Sequence, residues 1–188
     1  MRNLPREKPA SSAPPLATAP SLRGVIDGLV QGSLVELLGA YGVAVAPLLR
    51  AALDRAPRVP DVCAGAPFSS GAGKPGRVTL ALPTEVVELM KGATGLKADW
   101  ARELANQLAG RIKNRLLQFG VRLEVGAPTI VDHNVLARQI ASSAEMRVYG
   151  GRTLRGLVLV TLEGLPPESE LHYVGRTNGA SEGDTIIF

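Results

Sequence analysis

The chain has 188 residues, 45% hydrophobic and 20% charged, with a formal net charge of +4; this suits one domain with a sizeable core and argues against wholesale disorder. One cysteine, Cys63, and two histidines, His133 and His172, exclude an intramolecular disulfide framework and a multi-cysteine metal site. No run of about 18 uninterrupted apolar residues suggests a membrane span, and the Pro-rich start lacks the apolar core of a secretory signal, so a cytoplasmic, metal-free protein is expected.

Residues 1–20 hold Pro5, Pro9, Pro14, Pro15 and Pro20 among Ala, Ser and Arg and read as a flexible tail. Leu22, Val25, Ile26, Leu29, Val30, Leu34, Leu37, Leu38 and Tyr41 then recur at steps of three and four. That is the apolar stripe of an amphipathic helix, with Ser21 as its cap and Gly39 and Gly42 at its end. Gly24, Gly28 and Gly32 lie four apart along it, a spacing that permits close packing of a neighbour. Residues 43–77 are crowded with Pro and Gly. They suggest a short strand at 43–45, a helical turn at 48–53 and a loop from Phe68 to Gly76. That loop lacks the spacing of a Walker phosphate loop, and no Ser or Thr follows Lys74.

Residues 77–82 read as a strand, and a helix follows from Thr84, its N-cap, to Met90. A longer helix spans 99–119, closed by Gly120. Strands are expected at 121–125 and 129–131, and a short helix at 134–141. Two closing strands follow at 146–149 and 154–162, with Gly150-Gly151 as their turn. A last short strand is read at 172–174. Helices followed by hairpin-forming strands point to an α+β fold, a two-layer sandwich of long helices on a mostly antiparallel sheet. The expected domain is 21–175, with tails at 1–20 and 176–188.

The helix at 99–119 has two unlike sides. Ala101, Leu104, Ala105, Leu108, Ala109, Ile112, Leu116 and Phe119 gather on one. Asp99, Glu103, Asn106 and Gly110, at steps of four, three and four, share the other. Asp at a helix start favours the macrodipole and can serve as N-cap, and surface glutamates are ordinary. Asn106 and Gly110 are less easily explained. Asn competes for backbone hydrogen bonds, and mid-helix Gly is unfavourable by about 1 kcal/mol relative to Ala. A partner that approaches the backbone at Gly110 while Asn106 reaches into it would account for both.

Asp99-x-x-x-Glu103-x-x-Asn106, followed by Ala109-Gly110 and then by Pro128-Thr129-Ile130-Val131, resembles the signature of the CheC/CheX/FliY family of chemotaxis phosphatases. The resemblance covers roughly residues 21–165 and is most specific over 99–131. Ala105 stands where many members have Gly. A single Glu-x-x-Asn motif is similar to CheX, which has one site per chain, and unlike CheC, which has two. The resemblance implies a CheX-like fold and a phosphorylated CheY-like receiver domain as substrate. Glu103 is then the group that docks on the receiver's active-site lysine. Asn106 is the group that holds a water in line with the aspartyl phosphate. Asp99, Gly110 and Pro128 support docking or shape the site. No cofactor belongs to the chain itself, Mg²⁺ arrives with the receiver, and a homodimer is implied.

Two other readings compete. A non-catalytic relative would keep this fold as a binding or assembly module in a chemotaxis or two-component pathway. A nucleic-acid-binding domain would use Arg111, Lys113 and Arg115, but these spread over more than half of the helix circumference and form no single stripe. No nucleic-acid or membrane partner is expected. Cys63 reads as a thiol without a role, and Trp100 as a packing anchor at the start of the motif helix.

Overall fold

The computed structural model describes residues 22–48, 53, 58–71, 75–91, 96–165 and 171–175. The expected tails, the Ser21 cap and most of the expected turn at 48–53 lie outside these residues. In chain order the elements are α1 (Leu22–Gly39), β1 (Ala46–Leu48), β2 (Val62–Ser70), β3 (Pro75–Leu82), α2 (Thr84–Lys91) and α3 (Lys97–Leu116). A single 3-10 turn, Leu117–Phe119, tightens the end of α3. Then come β4 (Leu123–Val125), β5 (Thr129–Val131), α4 (His133–Ser142), β6 (Arg147–Thr153) and β7 (Gly156–Glu163). The strands form one antiparallel sheet in the order β1-β6-β7-β3-β2, and β4 and β5 share the outer edge of β2. This is the α+β architecture expected, helices packed on an antiparallel sheet.

The main core lies between the sheet and the helices. Leu34, Leu37 and Leu38 of α1 and Leu104, Leu108 and Ile112 of α3 are almost completely buried there. They pack with Ala64, Ala66, Leu80, Leu82, Val158 and Val160 of the central strands. Each large aliphatic side chain so buried contributes about 1.5–3 kcal/mol. The alternate residues Cys63, Ala81 and Leu159 point to the other face of the sheet. There they meet Leu53, Val59 and Leu136 of α4 in a smaller cluster. Strands β2, β3 and β7 are thus covered on both faces, which removes the polar–apolar alternation of a half-buried strand.

Several local expectations are corrected. Strand β2 is not among the expected strands, and residues 68–76, expected as a loop, hold the top of its hairpin with β3, Phe68 pairing with Gly76. Pro67 hid it, because proline within a run argues against a central strand. A strand residue's N–H and C=O lean toward the same neighbour, and the Pro67 carbonyl accepts from the Gly126 N–H at 2.8 Å. The missing N–H of Pro67 therefore faces the break between β4 and β5, where no ladder partner is required. Gly150 and Gly151 are no turn but lie inside β6. A Cβ on Gly151 would meet Val45 Cγ1 at 2.3 Å, and one on Gly150 would meet Leu53 Cδ2 at 2.7 Å. The close approach of Val45 and Leu53 selects these glycines. The turn falls at Leu154-Arg155, where the Thr153 hydroxyl donates to the Gly156 carbonyl at 2.9 Å and accepts from the Arg155 N–H at 3.1 Å.

The first strand is 46–48, not 43–45. Pro83, not Thr84, caps α2: its carbonyl accepts from the Val86 N–H at 3.0 Å. Residues 172–174 form no strand, although the Val174 N–H donates to the Gln118 carbonyl at 2.9 Å.

Candidate functional site

Helix α3 begins two residues before the expected start, so its N-cap is Leu96, without a side-chain cap bond. Asp99 is therefore not the cap. It sits in the first turn, where the macrodipole favours it, and pairs with Arg102. Lys97 bridges to Glu88 of α2 at 2.6 Å; both are well exposed, and such pairs contribute about 0–1 kcal/mol.

The α3 residues Ala101, Leu104, Ala105, Leu108, Ala109, Ile112 and Leu116 are buried. The helix lies chiefly across β2, against α1 and β3. Asp99, Glu103 and Asn106 are exposed, and Gly110 is half-buried. One burial stripe thus fixes which way the acid–amide pair points. Glu103 does not stand free. Its Oε1 accepts from Gln107 Nε2 at 2.8 Å, and Gln107 Oε1 accepts from the Tyr41 hydroxyl at 3.0 Å. Tyr41, just past α1, meets Trp100 edge-to-face, ring centroids 5.4 Å apart at 78°. The Trp100 indole nitrogen is buried and has no hydrogen-bond partner among the described residues. Trp100 is the packing anchor its position suggested.

Among the described residues nothing hydrogen-bonds to the Asn106 amide. It opens onto a shallow groove of about 360 Å³ whose lining includes Gly110, Lys113 and Asn114, with Val125 as the sheet-side wall. A Cβ on Gly110 would find no atom within 4 Å, so nothing inside the molecule requires glycine there. Pro128 is half-buried in the break between β4 and β5 and does not line this groove. The structure therefore brings Glu103, Asn106 and Gly110 onto one surface, with Asp99 a turn away, and leaves Pro128 to the edge of the sheet. Gln107 and Tyr41 are what sequence reading missed. The four-residue step from Glu103 to Gln107 was a visible signal, whereas Tyr41 is 66 residues from Gln107 and counted only as part of the α1 stripe.

Of the basic residues Arg111, Lys113 and Arg115 on α3, the first two line the Asn106 groove and the third does not. Arg115 turns toward α1, where it pairs with Glu36 and its Nη1 donates to the Leu29 carbonyl at 3.4 Å. Among the described residues no group of three or more His, Cys, Asp or Glu side chains is placed to hold a metal ion. No helix among them is long and apolar enough to cross a membrane.

Titration away from this face is structural. Burial, then the charges of Asp61 and Asp132, pushes the Cys63 thiol up to about 12. Asp132 caps α4, and the backbone hydrogen bonds it accepts from Val135 and Asn134 hold its carboxyl below the usual range.

No protein-family model matches the sequence, and no curated protein does. Solved structures do match in fold. The chemotaxis protein CheX from Vibrio vulnificus is 16% identical, with a TM-score of 0.57 over 77% of this chain and 98% of that one. CheX from Desulfovibrio desulfuricans is also 16% identical, with a TM-score of 0.55 over 73% and 97%. The CheX–CheY–BeF3–Mg²⁺ complex from Borrelia burgdorferi contains a chain 11% identical, with a TM-score of 0.53 over 76% and 97%. The fold is thus that of the CheX and CheC-like chemotaxis proteins.

Proposed function

We propose that this chain hydrolyses the aspartyl phosphate of a CheY-like receiver domain, using the outer face of α3. The observation that carries the reading is the presentation of Glu103 and Asn106, in a Glu-x-x-Asn step, from a rigid helix of a CheX-like fold. A solved relative in fold is bound to CheY with BeF3 and Mg²⁺, which makes a receiver the natural partner.

In this reading Glu103 docks on the receiver's active-site lysine and fixes the register of the helix. Asn106 enters the receiver pocket, and its carboxamide accepts a hydrogen bond from one water and aims its oxygen at phosphorus. A neutral amide does this at any physiological pH. The water oxygen bonds to phosphorus, the bond from phosphorus to the aspartate oxygen breaks, and inorganic phosphate and a free carboxylate remain. An acyl phosphate is already activated, so positioning supplies much of the acceleration and no nucleophile from this chain is needed. Mg²⁺ belongs to the receiver and offsets phosphoryl charge. Gly110 leaves room for the receiver backbone beside Asn106, and a homodimer is part of the same reading.

The test is the lifetime of the phosphate on a purified receiver. Wild-type protein shortens it, and Asn106→Ala loses about 100-fold of that acceleration. Equal acceleration by the two proteins rejects the role of Asn106.

A further inference from the structure

We propose that Gln107 and Tyr41 are positioning residues that hold the Glu103 carboxylate ready to dock. This rests on the hydrolase reading above and assigns it two residues outside the Glu-x-x-Asn motif.

The donor–acceptor pattern allows one arrangement. A carboxylate can only accept, so the side of the Gln107 amide that faces Glu103 is its NH₂. The amide oxygen then faces Tyr41, and the phenol must donate to it. Both contacts have good lengths, 2.8 and 3.0 Å. Tyr41 is half-buried and braced edge-on by Trp100, so its hydroxyl has little freedom. The relay thus runs from a packed aromatic pair at the junction of α1 and α3, through one amide, to an exposed carboxylate. Glutamate on a helix surface ordinarily samples many rotamers and loses that freedom when it binds. A tethered glutamate has given up part of it beforehand, and that preorganisation strengthens association. Gln107 lines the same groove as Asn106, but its side-chain hydrogen bonds go to Glu103 and Tyr41 and none reaches the Asn106 amide, so its effect falls on docking rather than on the hydrolytic step.

The experiment measures receiver dephosphorylation at rising concentrations of this protein, giving a half-saturating concentration and a limiting rate. Gln107→Met keeps length and helix propensity while removing both hydrogen bonds. It is expected to raise the half-saturating concentration about three- to tenfold and to leave the limiting rate within about twofold. Tyr41→Phe, which removes only the outer donor, is expected to give about a twofold rise in the same direction. In a Glu103→Ala background, Gln107→Met should add less than about 1.5-fold, because the group it positions is gone. An unchanged half-saturating concentration, or the same increment without Glu103, overturns the relay. So does a fall in limiting rate alone. Wild-type protein that accelerates no receiver's phosphate loss overturns the hydrolase reading and the relay with it. A working wild type with a Gln107→Met variant indistinguishable from it overturns the relay alone.

Discussion

Leu108 and Asn106 stand two residues apart on α3 and answer to different neighbours. Leu108 is fully buried against the sheet, whereas Asn106 faces solvent with no hydrogen bond to any described residue. The same contrast separates the two glycines Gly32 and Gly110. On α1, a Cβ at Gly32 would meet Arg115 Nη1 at 2.6 Å, so that glycine makes room for a contact within the molecule. On α3, Gly110 has open space where its Cβ would be. Both choices weaken a helix by about 1 kcal/mol relative to Ala. Only one is repaid inside the fold. Gly24 and Gly28 of α1 have open space as well, so what sets Gly110 apart is that it lines one groove with Asn106.

The comparison can be broken by substitution. Leu108→Ala is expected to destabilise by about 3 kcal/mol, through lost burial and the cavity left behind. Asn106→Ala should stay within about 0.5 kcal/mol of wild type. Denaturant titration of the two variants reads both values, and similar losses would mean that α3 does not have two distinct faces.

The glycines give a smaller, signed difference. Gly110→Ala should stabilise by up to about 1 kcal/mol. Gly32→Ala should stabilise clearly less, because the new methyl displaces Arg115 from the Leu29 carbonyl and from Glu36. If Gly110 serves the receiver, its more stable variant binds the receiver more weakly. Equal melting temperatures for the two variants, or unweakened receiver binding by Gly110→Ala, would remove the distinction.

The last effect concerns Cys63, a pH dependence that vanishes at neutral pH. Its thiol is raised to about 12 in the folded chain, against an ordinary value of 9.0. Above pH 9.0 the unfolded chain gives up a proton that the folded chain keeps. This contribution is therefore fully present below that pH and erodes as pH rises toward about 12. Cys63→Ala should flatten that part of the stability profile. At neutral pH a thiol reagent should label the wild-type chain only after unfolding.

Much of this was legible beforehand. The three- and four-residue periodicity of α3 marked both its buried stripe and its outer face, because burial and helix geometry act on the same few residues. The strands were harder. Small residues and Pro67 disguised β2, whose proline is tolerated only because its ladder partner is interrupted at Gly126. Gly150 and Gly151 carried the chemistry of a turn, but packing from Val45 and Leu53 had selected them. The step of four from Glu103 to Gln107 was visible, but the contact of Gln107 with Tyr41 joins α3 to the end of α1, and local spacing carries no trace of it.

If the outer face of α3 acts on a receiver's aspartyl phosphate, as proposed, the half-life of that phosphate reports it, measured with wild type and with Asn106→Ala, each at saturating concentration. The half-life should be at least about 100-fold shorter with wild type. With Asn106→Ala, folded and still bound to the receiver, it should lie close to that of the receiver alone. Equal shortening by both proteins, or none by either, would contradict that role of α3.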